Sequence, residues 1–303
     1  MVNIVSKPTQ GRNKVVVIGN GKVGLRFCEQ MVELDQKQNY ELIVFSEEKI
    51  PAYDRRAIAL YSKHQNQEEL LLAPRVWYEK HGIELHLSDR ILKIDRTAKQ
   101  VISSRGEVID YDHVVLATGS YSFVPPIADI EHPGVHLYRT IDDMERILAD
   151  VAQCKSVAVI GGGLFGLEAA RAVYELGLKT HIVESAPWLM QHQLDVIGAT
   201  CLKEFIEARG VEVHLGKETT KILHAGERVC GLQFMDNSQL QVDMVIFAAG
   251  IRPRDELGRI CQLGIHANGG IVVNNHLQTS DPSIFAIGKA AWHPDMMCGL
   301  VSP

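Results

Sequence analysis

The 303-residue chain is short of several things, and each shortage closes off a class of function. Its six cysteines, Cys28, Cys154, Cys201, Cys230, Cys261 and Cys298, include no CxxC or other close pair. Iron–sulfur ligation, structural zinc and a redox dithiol therefore have no footing, and free thiols are expected. The 13 histidines are scattered. His132 and His136 are four apart, but Pro133-Gly134 breaks any helix that would align them, so no metal is expected. No basic block stands out in a chain of net charge −6, which argues against nucleic acid. No apolar run reaches membrane-spanning length, and Met244–Gly250 is strand-sized. The first 13 residues lack an apolar signal core and read as a disordered lead, so a cytoplasmic protein is expected.

What is present is one unit written twice. Val15–Gly24 (VVVIGNGKVG) and Val157–Gly166 (VAVIGGGLFG) are both β-branched runs ending in G-x-G-x-x-G. Helical patterns follow at Leu25–Leu34 and Leu167–Leu176, then a second strand ending in an acid: Leu42–Phe45 with Glu47, and His181–Val183 with Glu184. One glycine motif alone is weak. Strand, glycines, helix, strand and acid in this order specify a dinucleotide site. The first glycine makes the tight turn, the second admits a pyrophosphate, and the third lets helix and strand pack closely. The helix N-terminus offers N–H groups to the phosphates, and the acid accepts from ribose hydroxyls.

Each unit also carries an inserted run of short alternating segments before its last strand. They are Arg90–Asp95, Gln100–Ser103 and Glu107–Tyr111, then Lys221–His224, Val229–Met235 and Gln239–Val242. These predict an antiparallel meander on one face of each parallel sheet.

Taken together, VVVIGNGKVGLRF, AYDR, VVLATGSY, VPPI, LYRTIDDM, VIGGGLFGLEAA, FAAGIRPRD, GGIVVN and QTSDPSIFAIG resemble the two-dinucleotide flavoprotein reductases. The similarity is greatest to the N-terminal reductase portion of NAD(P)H-dependent assimilatory nitrite reductase large subunits. It implies an α/β chain of two Rossmann-like, three-layer ββα domains, an NAD(P)H domain at 123–244 nested in an FAD domain at 14–122 and 245–303. It implies FAD held by Gly19, Asn20, Gly21, Gly24, Glu47 (or Glu48), Arg55, Thr118, Gly119 and Gly288. It implies a nicotinamide dinucleotide at Gly161, Gly163, Leu164, Phe165, Gly166 and Gly250, with Glu168 near the nicotinamide. Glu184 predicts NADH over NADPH, because a carboxylate repels a 2′-phosphate.

The implied reaction is hydride transfer from nicotinamide C4 to flavin N5, then electron transfer to a separate acceptor. That acceptor would be a protein or a second chain with iron–sulfur and sirohaem domains, so nitrite reduction by this chain alone is not expected. Three positions depart from the pattern. Lys289 stands where the family has an acid that accepts from FAD, and lysine has only donors. The Gly299–Pro303 string resembles the start of a flavin-facing helix, and that helix and the interface domain after it are expected to be absent. Ala59 replaces an expected serine. Two alternatives therefore stand beside the reductase: a nucleotide-binding relative with impaired FAD affinity, and an NADH-dependent rubredoxin or ferredoxin reductase. A disulfide reductase is disfavoured, because the YDRRAIALYSK stretch has no cysteine pair.

Overall fold

The computed structural model describes residues 12–128 and 130–294. In chain order, the elements that matter are β1 (Asn13–Ile18), α1 (Lys22–Leu34), β2 (Tyr40–Phe45), α2 (Ile58–His64), α3 (Arg75–Lys80), β3 (Glu84–His86), β4 (His113–Leu116) and β5 (Val135–Leu137). They continue with α4 (Ile141–Val151), β6 (Ser156–Ile160), α5 (Leu164–Glu175), β7 (Lys179–Glu184), α6 (Val196–Glu207), β8 (Glu212–Leu215), β9 (Met244–Phe247) and β10 (Ile284–Ala286).

Two compact units result. The first takes the chain up to Tyr53, Leu71–Ser120 and everything from Pro253 on; the second takes Asp54–Leu70 and Tyr121–Arg252. The first contains a five-stranded parallel sheet in the order β10-β4-β1-β2-β3. The second repeats it as β5-β9-β6-β7-β8. The outer strand beside β4 arrives last in the chain, whereas its counterpart β5 precedes β6. The repeat is thus spatial, with one connection rerouted.

Buried parallel strands should be apolar on both faces, and these are. Four consecutive residues of β1, of β2, of β6 and of β9 are buried. Alternation divides them between two layers. In the first unit Val16, Ile18, Ile43 and Phe45 face the meander residues Ile91, Ile94 and Val101. Val15, Val17, Leu42 and Val44 face Leu25 and Cys28 of α1 and Tyr78 of α3. In the second unit Ile160, Val183, Val245 and Phe247 meet Ile222, Leu232 and Phe234 of its meander. Helix, parallel sheet and meander make the expected three layers in each unit.

The boundaries differ from expectation in three places. β1 begins at Asn13, whose N–H donates to the Asn39 carbonyl, so the first strand takes in the last residue of the expected lead. Residues 1–11 lie outside the described residues. Residues 245–252 belong to the second unit, not the first, because Val245, Ile246 and Phe247 pair with Ala158, Val159 and Ile160 of β6. Asp54–Leu70 also belongs there: α2 packs on α4 and α5, Tyr61 donates to Glu145 (3.1 Å) and Lys63 pairs with Glu175 (3.1 Å). Neither shift is visible locally, since nothing in either segment says which unit will bury it.

Phe247 is 1% exposed, and truncating it leaves a hole between sheet and meander. Phe247→Ala should cost about 3–5 kcal/mol, read as a lower urea midpoint for the second unit. A loss under about 1 kcal/mol would show that this layer is not tightly packed.

Candidate functional site

The two glycine turns have one geometry. Gly19 N–H donates to the Phe45 carbonyl at 2.9 Å, and Gly161 N–H to that of Val183 at 2.8 Å. Ala117 and Ala248 N–H groups reach Ile18 and Ile160 carbonyls, each at 2.9 Å. Gly19 and Gly161 have φ of +112° and +123°, a backbone that side chains rarely tolerate. A Cβ on Gly24 would lie 2.1 Å from the Gly19 carbonyl oxygen, and one on Gly166 only 1.8 Å from that of Gly161. Only hydrogen lets the first turn of α1 and of α5 lie this close to the strand end.

The middle glycines behave differently. Gly21 and Gly163 are the N-caps of α1 and α5, and a Cβ on either would meet nothing within 4 Å. Neither cap carries a side-chain hydrogen bond, and neither first turn holds an acid. First-turn N–H groups have no partner within their own helix, so each terminus presents donors and a positive dipole end to open space. Asn20 adds to the first turn. Its Oδ1 accepts from the buried Tyr78 hydroxyl at 2.9 Å, while its buried Nδ2 has no partner. Open backbone donors with a buried amide donor beside them have the chemistry that fits a diphosphate.

The acids diverge. Glu184 accepts from Gly162 N–H (2.6 Å) and from Ala186 N–H (2.8 Å), so it closes over the second glycine turn. Strand register pairs Ile18 with Phe45 and Ile160 with Val183. The residue equivalent to Glu184 is therefore Ser46, and Glu47 lies one place further along. Glu47 is exposed and takes a guanidinium hydrogen bond from Arg254; Glu48 accepts from the Tyr53 hydroxyl at 2.7 Å. A one-residue offset sends a side chain to the other side, so local spacing alone misaligns the two acids.

Arg254 is the residue that sequence reading misses. Its carbonyl accepts from Thr118 Oγ1 (2.6 Å), its N–H donates to Gly119 (2.9 Å), and its side chain holds Glu47. One residue thus ties the Thr118-Gly119 turn to the end of β2, although it lies 136 positions after Thr118. The GIRPRD string was the only available signal. Gly119 and Gly250 close the equivalent turns with φ of +70° and +119°, each open where a side chain would stand.

Arg55 falls in the second unit, where it donates to the Arg139 carbonyl at 3.3 Å, so it is not grouped with Gly19–Gly24. Glu168 sits one turn into α5. Burial pushes its carboxyl up; Arg56 opposes the shift and Asp54 adds to it. Leu164 is exposed, and Phe165 lies under the Arg139 guanidinium. Gly288 (φ +66°) abuts Val23 in the first turn of α1, and Lys289 follows in a single 3₁₀ turn. His132 and His136 do not converge: one lies against the His224 ring at a tilt, the other pairs with Asp150 at 2.9 Å. The Gly299–Pro303 string lies outside the described residues. Among the described residues no helix is long and apolar enough to cross a membrane.

Two parallel-sheet units, each with a cradled helix N-terminus at the carboxyl end of its central strand, define a double dinucleotide-binding protein. The chain matches the pyridine nucleotide-disulphide oxidoreductase family over residues 10–299 and belongs to it. Membership implies binding of FAD and a nicotinamide dinucleotide. The chain is 43% identical to the nitrite reductase (NADH) large subunit of Escherichia coli, over 96% of this chain and 34% of that protein. It is 35% identical to the assimilatory nitrate reductase electron transfer subunit of Bacillus subtilis, over 96% and 38% respectively. It thus spans about a third of the length of these curated relatives. The crystal structure of a ferredoxin reductase from Rhodopseudomonas palustris superposes with a TM-score of 0.86 at 30% identity, over 93% of this chain and 69% of that one.

Gly166→Ala should destabilise by about 1–3 kcal/mol through the clash with Gly161, seen as a lower melting temperature. Gly163→Ala should leave melting unchanged and weaken dinucleotide binding, because its Cβ enters the open cradle. Equal melting losses in both variants would contradict the distinction.

Proposed function

We propose that the chain is an FAD-dependent NADH oxidoreductase module that delivers electrons to a separate acceptor. The observation that carries this is the duplicated glycine turn, with open, uncapped helix termini in both units. On this reading the first unit is the FAD domain, held by Gly19, Asn20, Gly21, Gly24, Glu47, Thr118, Gly119 and Gly288. The second is the NADH domain, held by Gly161, Gly163, Leu164, Phe165, Gly166, Glu184 and Gly250. When bound, the nicotinamide supplies a hydride and the flavin accepts it and releases electrons onward. The protein's part is to hold the phosphates, orient the rings and exclude water. Glu168, whose carboxyl is pushed up by burial, would lie near the nicotinamide. The acceptor belongs to a sirohaem or iron–sulfur partner of nitrite-reductase type, or to a small electron-carrier protein.

Protein purified as the full chain should be yellow, and NADH should bleach it without oxygen. Glu184→Ala should bring the kcat/KM ratio for NADH over NADPH toward one, because the carboxylate no longer repels a 2′-phosphate. The ratio is the readout, since the variant also loses the Gly162 hydrogen bond; an unchanged ratio refutes the assignment.

A second reading rests on Lys289. A donor-only side chain in the turn beside α1 removes an acceptor from the FAD site, leaving a nucleotide-binding protein with weak FAD affinity. The missing hydrogen bond is worth about 1–3 kcal/mol, or roughly ten- to a hundredfold in affinity. Lys289→Glu should raise FAD affinity by that factor in a fluorescence titration. No change would remove Lys289 from the argument.

A further inference from the structure

The second unit carries a cluster that plays no part in the dinucleotide turns. Parallel pairing sets His181 of β7 opposite Glu212 of β8, and Val183 opposite His214. By the two-residue alternation of strands, His181 and Val183 share a face, as do Glu212 and His214. Val183 belongs to the core beneath the meander, so the cluster lies on that face and not on the α5 side. His181 Nδ1 is 3.1 Å from His214 Nε2 and 3.3 Å from Glu212 Oε2, and His214 Nε2 is 3.9 Å from the same oxygen.

We propose that His181, Glu212 and His214 form a binding site for a divalent transition-metal ion of the zinc class. Three donors bonded to zinc at about 2.0–2.2 Å in a tetrahedral arrangement lie about 3.3–3.5 Å apart. Two of the three separations match this spacing within a few tenths of an ångström. The third closes with a small rotation of Glu212, whose side chain is 48% exposed. Two imidazoles and one carboxylate are a donor set for zinc, cobalt or nickel rather than for calcium or magnesium. His214 and Glu212 keep 27% and 48% of their side chains exposed, so solvent can supply a fourth ligand. The cluster also has an orienting partner: Lys179 Nζ holds Glu212 Oε1 at 2.9 Å, leaving Oε2 for the metal.

The charged groups around the site are Lys179, Lys217 and Glu207. The two lysines oppose a cation and Glu207 favours one, which sets affinity below that of a closed structural site.

The first unit shows what is special about the second. Its register aligns Glu84 and His86 with Glu212 and His214, but Ile43 stands where His181 does. The Glu-x-His pair is thus duplicated, but a histidine stands opposite the glutamate in the second copy alone, while in the first His86 lies beside Glu84 and Glu107. A metal there would pin the edge strand β8 to β7.

Full-length, tag-free protein stripped with a chelator should be titrated with Co(II), followed by zinc displacement. A visible d–d band of tetrahedral type at one equivalent, lost on adding zinc, is expected. His214→Ala and Glu212→Gln should each raise the zinc dissociation constant at least tenfold and abolish the zinc-induced rise in melting temperature. His86→Ala should change neither. Both variants sit on the exposed edge, and circular dichroism of the metal-free forms confirms that they fold. No cobalt band in the wild type, or binding that survives both variants, would overturn the site and leave a hydrogen-bonded His–His–Glu group.

Discussion

The contact between a helix's first turn and the carbonyl of a strand-ending glycine is what the rest of this molecule depends on. At Gly24 and Gly166 the approach leaves no room for even one carbon. Because the helix begins so close, its N-terminal donors point along the carboxyl end of the sheet, where Gly21 and Gly163 leave space. A methyl group at the third glycine would push the helix away, and both the dipole and the cradle would lose their aim. The same constraint appears twice, with hydrogen bonds that agree to about 0.1 Å between units.

Around that shared frame the two units have diverged in ways that suit different ligands. The second closes its turn with Glu184, bonded directly to the loop backbone. The first has Ser46 there and moves its acid outward to Glu47, where Arg254 holds it. The first also keeps a buried amide donor on Asn20, where the second has Gly162. The divergence is local; the sheets, meanders and helix placements are common to both.

Much of this was legible from the sequence. The glycine spacing, the β-branched runs and the alternating insertions named both domains, their three layers and their order, and the family resemblance agreed with the match over residues 10–299. Other features were hidden. The membership of 54–70 and 245–252 depends on which sheet or helix pair buries them. The equivalence of Glu184 with Ser46 depends on register. Arg254 acts on residues more than a hundred positions earlier, and no local pattern announces it.

The division has a physical reason. A strand, a tight turn and a helix are set by backbone conformation and side-chain period within about 30 residues, so glycine spacing and apolar runs alone determine them. Which side chains meet across strands is set by parallel pairing between distant segments, and a shift of one residue exchanges the faces. The sequence by itself therefore determined two dinucleotide-type units and the positions of their glycine turns. Only the tertiary structure decided that Arg254 reaches Glu47, that Ser46 stands opposite Glu184, and that His181, Glu212 and His214 share one face.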